Sequence, residues 1–247
     1  MKITVITVCY NSELTIESTI RSVLEQDYPD IEYIIIDGLS TDSTPQIVRS
    51  FSSSISRFVT EKDDGMYDAI NKGIAFASGE VIAILNADDF YTSKDILSKV
   101  ANEFTSKKTD SIYGDLDYVD FRDTSKVKRK WRSGNYSHGK FLYGWMPPHP
   151  AFFLRKKCYE KYGKFNTVFK TAADYELMLR MLHKNKISTS YLPEVFVKMR
   201  VGGMSNTSVK NRVNANLEDR NAWEINDLKP KWYTLTLKPL RKLGQFF

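Results

Sequence analysis

Four residues closing an apolar run, Asn86-Ala87-Asp88-Asp89, have the types and spacing best suited to chemistry. Val81 to Leu85 is unbroken, apolar and of strand length. Asn86, Asp88 and Asp89 emerge at its carboxyl end, where open α/β sheets place ligands. Two adjacent carboxylates repel each other, and a hard cation such as Mg²⁺ or Mn²⁺ relieves that repulsion through oxygen ligands. A solvated Asp-Asp turn accounts for the same dipeptide, so the pair alone leaves both readings open. Other polar residues follow apolar runs in the same way: Tyr10 and Asn11 after residues 2–9, and Asp37 after residues 31–36. Asp174 begins a helical pattern, where a carboxylate caps free N–H groups and meets the positive end of the helix dipole. His149 stands among Pro147, Pro148 and Pro150, which stiffen its backbone and suit a packed histidine as well as a ligand.

The elements that must position these residues are legible from periodicity. Lys2–Cys9 reads as a first strand, and Leu14, Ile16, Ile20, Val23 and Leu24 form the stripe of a first helix. Residues 31–36 form a second strand, and Thr44-Pro45 marks a second helix start with Thr44 as its cap. A short strand at residues 57–60 precedes a helix over Tyr67–Ala77, which stops before Gly79. This repeating strand–helix unit predicts a parallel, doubly wound sheet with right-handed crossovers. Tyr10 with Asn11, Asp37, and Asp88 with Asp89 then converge on one sheet edge, where a nucleotide can lie. Further along, Ile96–Phe104 reads as a helix, Ser111–Asp115, Ala151–Leu154, residues 187–191 and residues 195–200 as strands, and residues 209–226 as a helix. Pro239 is expected to interrupt any single amphipathic helix in the tail.

Composition sets the limits. The chain has 247 residues, 42% hydrophobic and 27% charged, which is ordinary for a soluble globular protein with a well-buried core. Its first residues are too polar for a secretory signal, and no run approaches the roughly 18 apolar residues of a membrane span. Cys9 and Cys158 match no metal or redox spacing and read as reduced packing residues of a cytoplasmic protein. Neither a dinucleotide fingerprint nor a Walker A loop is present, which argues against NAD-dependent and P-loop enzymes. The net charge is +6, with Lys229, Lys231, Lys238, Arg241 and Lys242 clustered after Asp227. A second basic run, residues 122–132, reads either as a solvated loop or hairpin or as a flap facing a phosphate-bearing substrate. Trp131, Tyr136, Phe141, Tyr143 and Trp145 lie in or near it, suited to the core or to stacking on sugars.

Taken together, ITVCYNSELTIESTIRSVLEQ, IIIDGLSTDST, EKDDGMYDAINKGIAFASGEVIAILNADD and PPHPAFFLR resemble a family 2 glycosyltransferase of the GT-A fold, of the bacterial cell-surface glycan type, over about the first 200 residues. The resemblance implies an α/β, Rossmann-like, mostly parallel sheet flanked by helices, with residues 1–205 as catalytic domain and residues 206–247 as a helical, basic and aromatic extension. It implies inverting transfer from a nucleotide diphosphate-sugar, a UDP-sugar favoured, to a hydroxyl of a glycan or lipid-linked acceptor, with Mn²⁺ or Mg²⁺. On that basis Val8, Tyr10, Asn11 and Asp37 contact the nucleoside, and Asp64 and Lys72 lie near the donor. Asn86, Ala87 and Asp88 hold ribose or sugar, Asp89 ligates the metal, and His149 ligates metal or touches the diphosphate. Asp174 is the general base. The glycine loop at residues 200–205 folds over the diphosphate or is a plain turn. The tail suits an anionic membrane surface, on the inner face of a membrane, or packs on the catalytic domain or a partner subunit.

Two rivals stand beside this reading. A nucleotidyltransferase also uses paired carboxylates and a metal on an α/β sheet, but releases pyrophosphate. A non-catalytic nucleotide- or polyanion-binding module would exploit the basic tail. Nucleic acid is not an expected partner, because metal-free carboxylates at the site repel phosphates.

Overall fold

The alternation of apolar runs and amphipathic stripes builds a single sheet with helices on both faces. A computed structural model of the chain describes residues 1–202 and 209–245. Strands β1 (Ile3–Cys9), β2 (Ile31–Asp37), β3 (Arg57–Thr60) and β4 (Val81–Ile84) pair in parallel in the order β3-β2-β1-β4. They are joined by α1 (Ile16–Leu24), α2 (Thr44–Ser50) and α3 (Met66–Phe76). β1 is buried at every position, as expected of a central strand covered on both faces. α2 begins at Thr44 with Pro45 in its first turn, but its cap position is Ser43. The Thr44 hydroxyl instead accepts the Ser12 N–H at 2.7 Å, fastening α2 to the start of α1.

Beyond β4 the sheet becomes mixed. A short β5 (Asp89–Tyr91) is followed by α4 (Ile96–Lys107), β6 (Ser111–Val119), β7 (Val127–Trp131), β8 (Phe152–Arg155), α5 (Lys156–Tyr162), α6 (Ala173–Met178) and β9 (Thr189–Arg200). The order continues β4-β8-β6-β9-β5, with β8 antiparallel to β4 and β6, β9 parallel to β6, and β7 hairpinned onto β6. The two strands expected at residues 187–191 and 195–200 are one strand, whose register against β6 shifts beside Asp115. Gly114 is what allows the close approach there: a Cβ on it would lie 2.6 Å from the Phe196 ring.

Two apolar clusters fill the two faces of the sheet, one with α1 and α4, the other with α3, α6 and the helix α7 (Val209–Ile225). Trp223 of α7 is fully buried in the second, its indole N–H donating to the Tyr175 hydroxyl at 2.9 Å. Phe141 and Trp145 are buried in it too, so these aromatics serve packing, not an exposed stacking surface. A last helix, α8 (Thr234–Arg241), contains Pro239 where an interruption was expected. Proline cannot donate to the carbonyl four residues back, Leu235, and the Asn216 side chain donates to that carbonyl at 3.4 Å. Both cysteines are buried and unpaired. Among the described residues no helix is long and apolar enough to cross a membrane.

Candidate active site

β4 ends at Ile84, and the chain turns through Asn86-Ala87-Asp88 so that Asp89 can open β5 against Met199 of β9. That pairing draws the Asp89 carboxylate fully into the protein. Thr19 Oγ1 of α1 lies 2.9 and 2.7 Å from the Ala87 and Asp89 carbonyls, and Arg200 at the end of β9 donates to the Asp88 carbonyl at 2.8 Å. Arg200 also lies over the Phe90 ring, 4.7 Å from its centroid, and donates to Ser18. The turn is therefore pinned from α1 on one side and β9 on the other.

Burial first, then the neighbouring Asp88, pushes the Asp89 carboxyl well above the usual carboxylate range. Asn86 Nδ2 donates to Asp89 Oδ2 at 3.0 Å, while Asp89 Oδ1 and Asn86 Oδ1 are buried oxygens with no hydrogen-bond partner. Two orphaned acceptors beside paired carboxylates fit a hard divalent cation. Among the described residues no group of three His, Cys, Asp or Glu side chains converges as a ready-made metal cage. This matches the habit of Mg²⁺, which takes one or two carboxylates and fills its shell with phosphate and water oxygens.

The residues expected at the nucleoside lie at the ends of β1 and β2. Val8 is buried within β1, Tyr10 is 60% exposed, and Asn11 is left-handed at φ 48°, a conformation asparagine tolerates. Asn11 Oδ1 accepts the Thr41 N–H at 2.9 Å, and its own N–H donates to Ser40 Oγ at 2.8 Å. Asp37 is fully buried; its oxygens accept from the Ser40 hydroxyl at 2.5 Å and the Ser40 N–H at 3.1 Å. Asp37 thus organises the loop after β2, with Ser40 occupying both of its oxygens. Gly38 packs tightly here, and a Cβ on it would lie 3.2 Å from Asp63 Oδ2 and 3.6 Å from the Tyr10 ring.

Of the two acids before α3, Asp64 is exposed, whereas the Asp63 side chain is only 7% exposed. Asp63 Oδ2 is buried and unpartnered against Gly38, so Asp63, not Asp64, packs at the Tyr10 and Gly38 end of the sheet edge. Lys72 does not extend alone: its ammonium meets Asp63 at 2.6 Å, Glu61 at 2.9 Å and Asp68 at 3.3 Å, and these bonds, Asp63 first, hold it protonated.

Across the crevice stands Asp174, in the first turn of α6 and not at its cap, which is Ala172. Asp174 Oδ1 accepts the Tyr175 N–H at 2.8 Å and lies 3.4 Å from the Tyr67 hydroxyl of α3. The preceding loop is held by Glu218 of α7, whose carboxylate accepts the N–H groups of Lys170, Thr171 and Ala172 at 2.8–3.1 Å and the Thr171 hydroxyl at 2.8 Å. Burial pushes the Glu218 carboxyl up, but those bonds prevail and hold it below its ordinary value. His149 is buried beside Asp174, edge-on to Phe165, with Nε2 unpartnered. Burial lowers its pKa and Asp174 opposes that shift, so the carboxylate that bears on His149 is Asp174.

Tyr118 of β6 ties the two halves together. Burial pushes its hydroxyl up to about 12; Arg129 opposes the shift, and Asp89 and Asp174 both add to it, so the ring lies within electrostatic reach of both carboxylates. Arg129 of β7 lies over that ring, 3.7 Å from its centroid. Neither Tyr118 nor Glu218 stands out in the sequence, since neither belongs to a local pattern. In the glycine loop expected after β9, Gly203, Met204 and Ser205 lie outside the described residues, as do Phe246 and Phe247 of the tail.

Residues 4–167 match the profile described as Glycosyl transferase family 2. A PGL/p-HBAD biosynthesis glycosyltransferase of Mycobacterium tuberculosis is 29% identical over 204 residues, covering 81% of this chain and 77% of that protein. An uncharacterised glycosyltransferase of the same organism is 30% identical over 180 residues, covering 72% of this chain and 68% of that protein. Among solved structures, S. aureus TarS in complex with UDP-GlcNAc superposes with a TM-score of 0.73 at 20% identity, covering 92% of this chain. This chain spans 65% of that TarS chain, just under two thirds. The mannosyltransferase PcManGT of Pyrobaculum calidifontis, in complex with GDP-Man and Mn²⁺, superposes with a TM-score of 0.66 at 20% identity, covering 98% of this chain and 69% of that one. The shared architecture is the GT-A fold.

Proposed function

The chain belongs to glycosyl transferase family 2, and from that premise we propose that it is an inverting, metal-assisted enzyme acting on a nucleotide diphosphate-sugar, with UDP-sugars favoured. The acceptor is a hydroxyl of a glycan or of a lipid-linked glycan. The observation that carries this reading is the pair of unpartnered buried oxygens on Asp89 and Asn86, beside Asp88 and across the crevice from Asp174.

Asp89, with Asn86 and Asp88, would hold Mn²⁺ or Mg²⁺, which when bound stabilises the charge growing on the departing diphosphate. Val8, Tyr10, Asn11 and Asp37 shape the nucleoside end, with Asp63 replacing Asp64 as the acid that meets the nucleoside or ribose. Lys72 positions Asp63, its charge being matched by carboxylates. Asp174 takes the proton from the acceptor hydroxyl as that oxygen attacks the anomeric carbon, and the bond from that carbon to the diphosphate oxygen breaks. A positioned base of this kind contributes about 10²- to 10⁴-fold. His149, buried with Nε2 unpartnered, would ligate the metal or touch the diphosphate. Residues 1–205 form the catalytic domain and residues 206–247 a C-terminal extension. In that extension Trp232 is 90% exposed, with the exposed Lys229 and Lys231 beside it in sequence, which supports contact with an anionic membrane surface on the cytoplasmic side.

A panel of UDP-, GDP- and TDP-sugars, each with Mn²⁺ or Mg²⁺, tests this reading by scoring nucleoside diphosphate release, which slow donor hydrolysis yields without an acceptor. The expected result is metal-dependent release from one donor class. Release of pyrophosphate from a sugar phosphate and a nucleoside triphosphate would replace it with nucleotidyl transfer.

A further inference from the structure

The carboxylate of Asp174 is held at one of its two oxygens. Oδ1 accepts the Tyr175 N–H at 2.8 Å and the Tyr67 hydroxyl at 3.4 Å, while Oδ2 makes no hydrogen bond or ion pair among the described residues. The first of these contacts is local to α6. The second crosses from α3, 107 residues away in sequence.

Tyr67 is itself fixed. It is buried, and its ring stacks on Phe165 with centroids 5.6 Å apart and planes 16° apart. Asn71, four residues on and so on the same face of α3, grips Phe165 by its backbone: Nδ2 donates to the Phe165 carbonyl at 2.8 Å, and Oδ1 accepts the Phe165 N–H at 3.0 Å. Phe165 lies in the loop that leads to Asp174. Before it, Arg180 donates to the Gly163 and Lys164 carbonyls at 2.8 and 2.7 Å, and after it Glu218 holds residues 170–172. Those holds act on the loop backbone, whereas Tyr67 reaches the carboxylate. Burial first, then the Asp174 charge, hold the Tyr67 hydroxyl well above the usual phenol range, so it keeps its proton and donates.

We propose that Tyr67 is a positioning residue for the base: its hydroxyl and the Tyr175 N–H fix Asp174 Oδ1, which leaves Oδ2 as the oxygen that takes the acceptor proton. This rests on the base assignment above. In that step the proton of the acceptor hydroxyl passes to Oδ2, the acceptor oxygen bonds the anomeric carbon, and the diphosphate oxygen leaves with the electron pair of the broken bond. A bond of 3.4 Å is long, and catalytic contacts of this kind tighten when substrate fills the site. Two donors on one oxygen stop the carboxylate turning about its own torsions, so the base is oriented before the acceptor arrives. Because one of the two comes from α3, the base is registered to the helix that also carries Lys72.

Four forms of the full chain test it: wild type, Tyr67→Phe, Asp174→Asn and the double variant. Phenylalanine keeps the ring on Phe165 and removes only the hydroxyl. Initial rates are read as nucleoside diphosphate release, with Mn²⁺, the nucleotide-sugar cleaved fastest in the donor panel, and water standing in for the acceptor. Tyr67→Phe should lower kcat about tenfold with the donor KM within twofold. The same change should cost nothing further in the Asp174→Asn background, because Tyr67 acts through that carboxylate. A wild-type kcat in Tyr67→Phe, or a second tenfold loss on top of Asp174→Asn, overturns the proposal. Melting temperatures read the bond without substrate: Tyr67→Phe should lower the wild-type value by about 2–4 °C and that of Asp174→Ala by less than about 1 °C. Equal losses in both backgrounds overturn the bond whether or not the chain transfers sugar. Full release by Asp174→Asn, by contrast, removes the base assignment itself and the proposal with it.

Discussion

Asp89 and Asp174 differ in how they are held, and that difference sets what each can do. Asp89 is desolvated beside a second carboxylate and has one oxygen unsatisfied, an arrangement that favours a cation over water. Asp174 is only partly buried and is oriented by a backbone N–H, so it stays available to a hydroxyl. Asp174→Asn keeps the shape and removes the proposed base; transfer should fall about 10²- to 10⁴-fold with donor affinity within twofold, measured by initial rates and calorimetry. Full transfer by that variant would remove the assignment. Glu218 of α7 holds the loop that leads into the proposed base. Its carboxyl is lowered on folding, so its contribution is present above the ordinary glutamate range and is lost as pH falls through the lowered folded value. Glu218→Gln should cost roughly 1–2 kcal/mol near neutral pH and flatten the acid limb of a melting-temperature profile. Unchanged melting at every pH would show that the loop holds itself.

Among the elements, the parallel β3-β2-β1-β4 half was legible because each strand is a local apolar run followed by an amphipathic stripe. The turn to β5 was not: Asp89 reads as the residue after a strand, and its place as the first residue of another depends on Met199, far along the chain. Likewise, the break between residues 191 and 195 disappears because β6 and Gly114 let one bent strand run through. Gly114→Ala should therefore destabilise by about 1–3 kcal/mol, since the Phe196 ring is enclosed and cannot yield. A melting temperature lowered by about 2–4 °C per kcal/mol checks it, and an unchanged value would mean that the strands can part there. Pro239 teaches the same point: a proline breaks a helix only if its orphaned carbonyl finds no donor, and here Asn216 supplies one.

For the whole molecule, the residues proposed to hold the donor lie within the first ninety residues, where their order in the sequence points to them, whereas their frame is assembled from distant chain. Tyr118 and Glu218 belong to no contiguous motif, so composition and periodicity could not find them. Cutting the chain after residue 205 removes Glu218 and the fully buried Trp223, and should abolish cooperative thermal unfolding monitored by near-UV circular dichroism. A fragment that melts like the full chain would make the extension dispensable. The decisive property of the proposed donor site is whether Asp89 binds donor through a metal. Titration calorimetry of UDP and of GDP into the wild type and Asp89→Ala, each with Mn²⁺ and with EDTA, measures that. One nucleotide should bind the wild type with Mn²⁺ and lose at least about tenfold in affinity in EDTA and in the variant; equal affinity in all arms would contradict it.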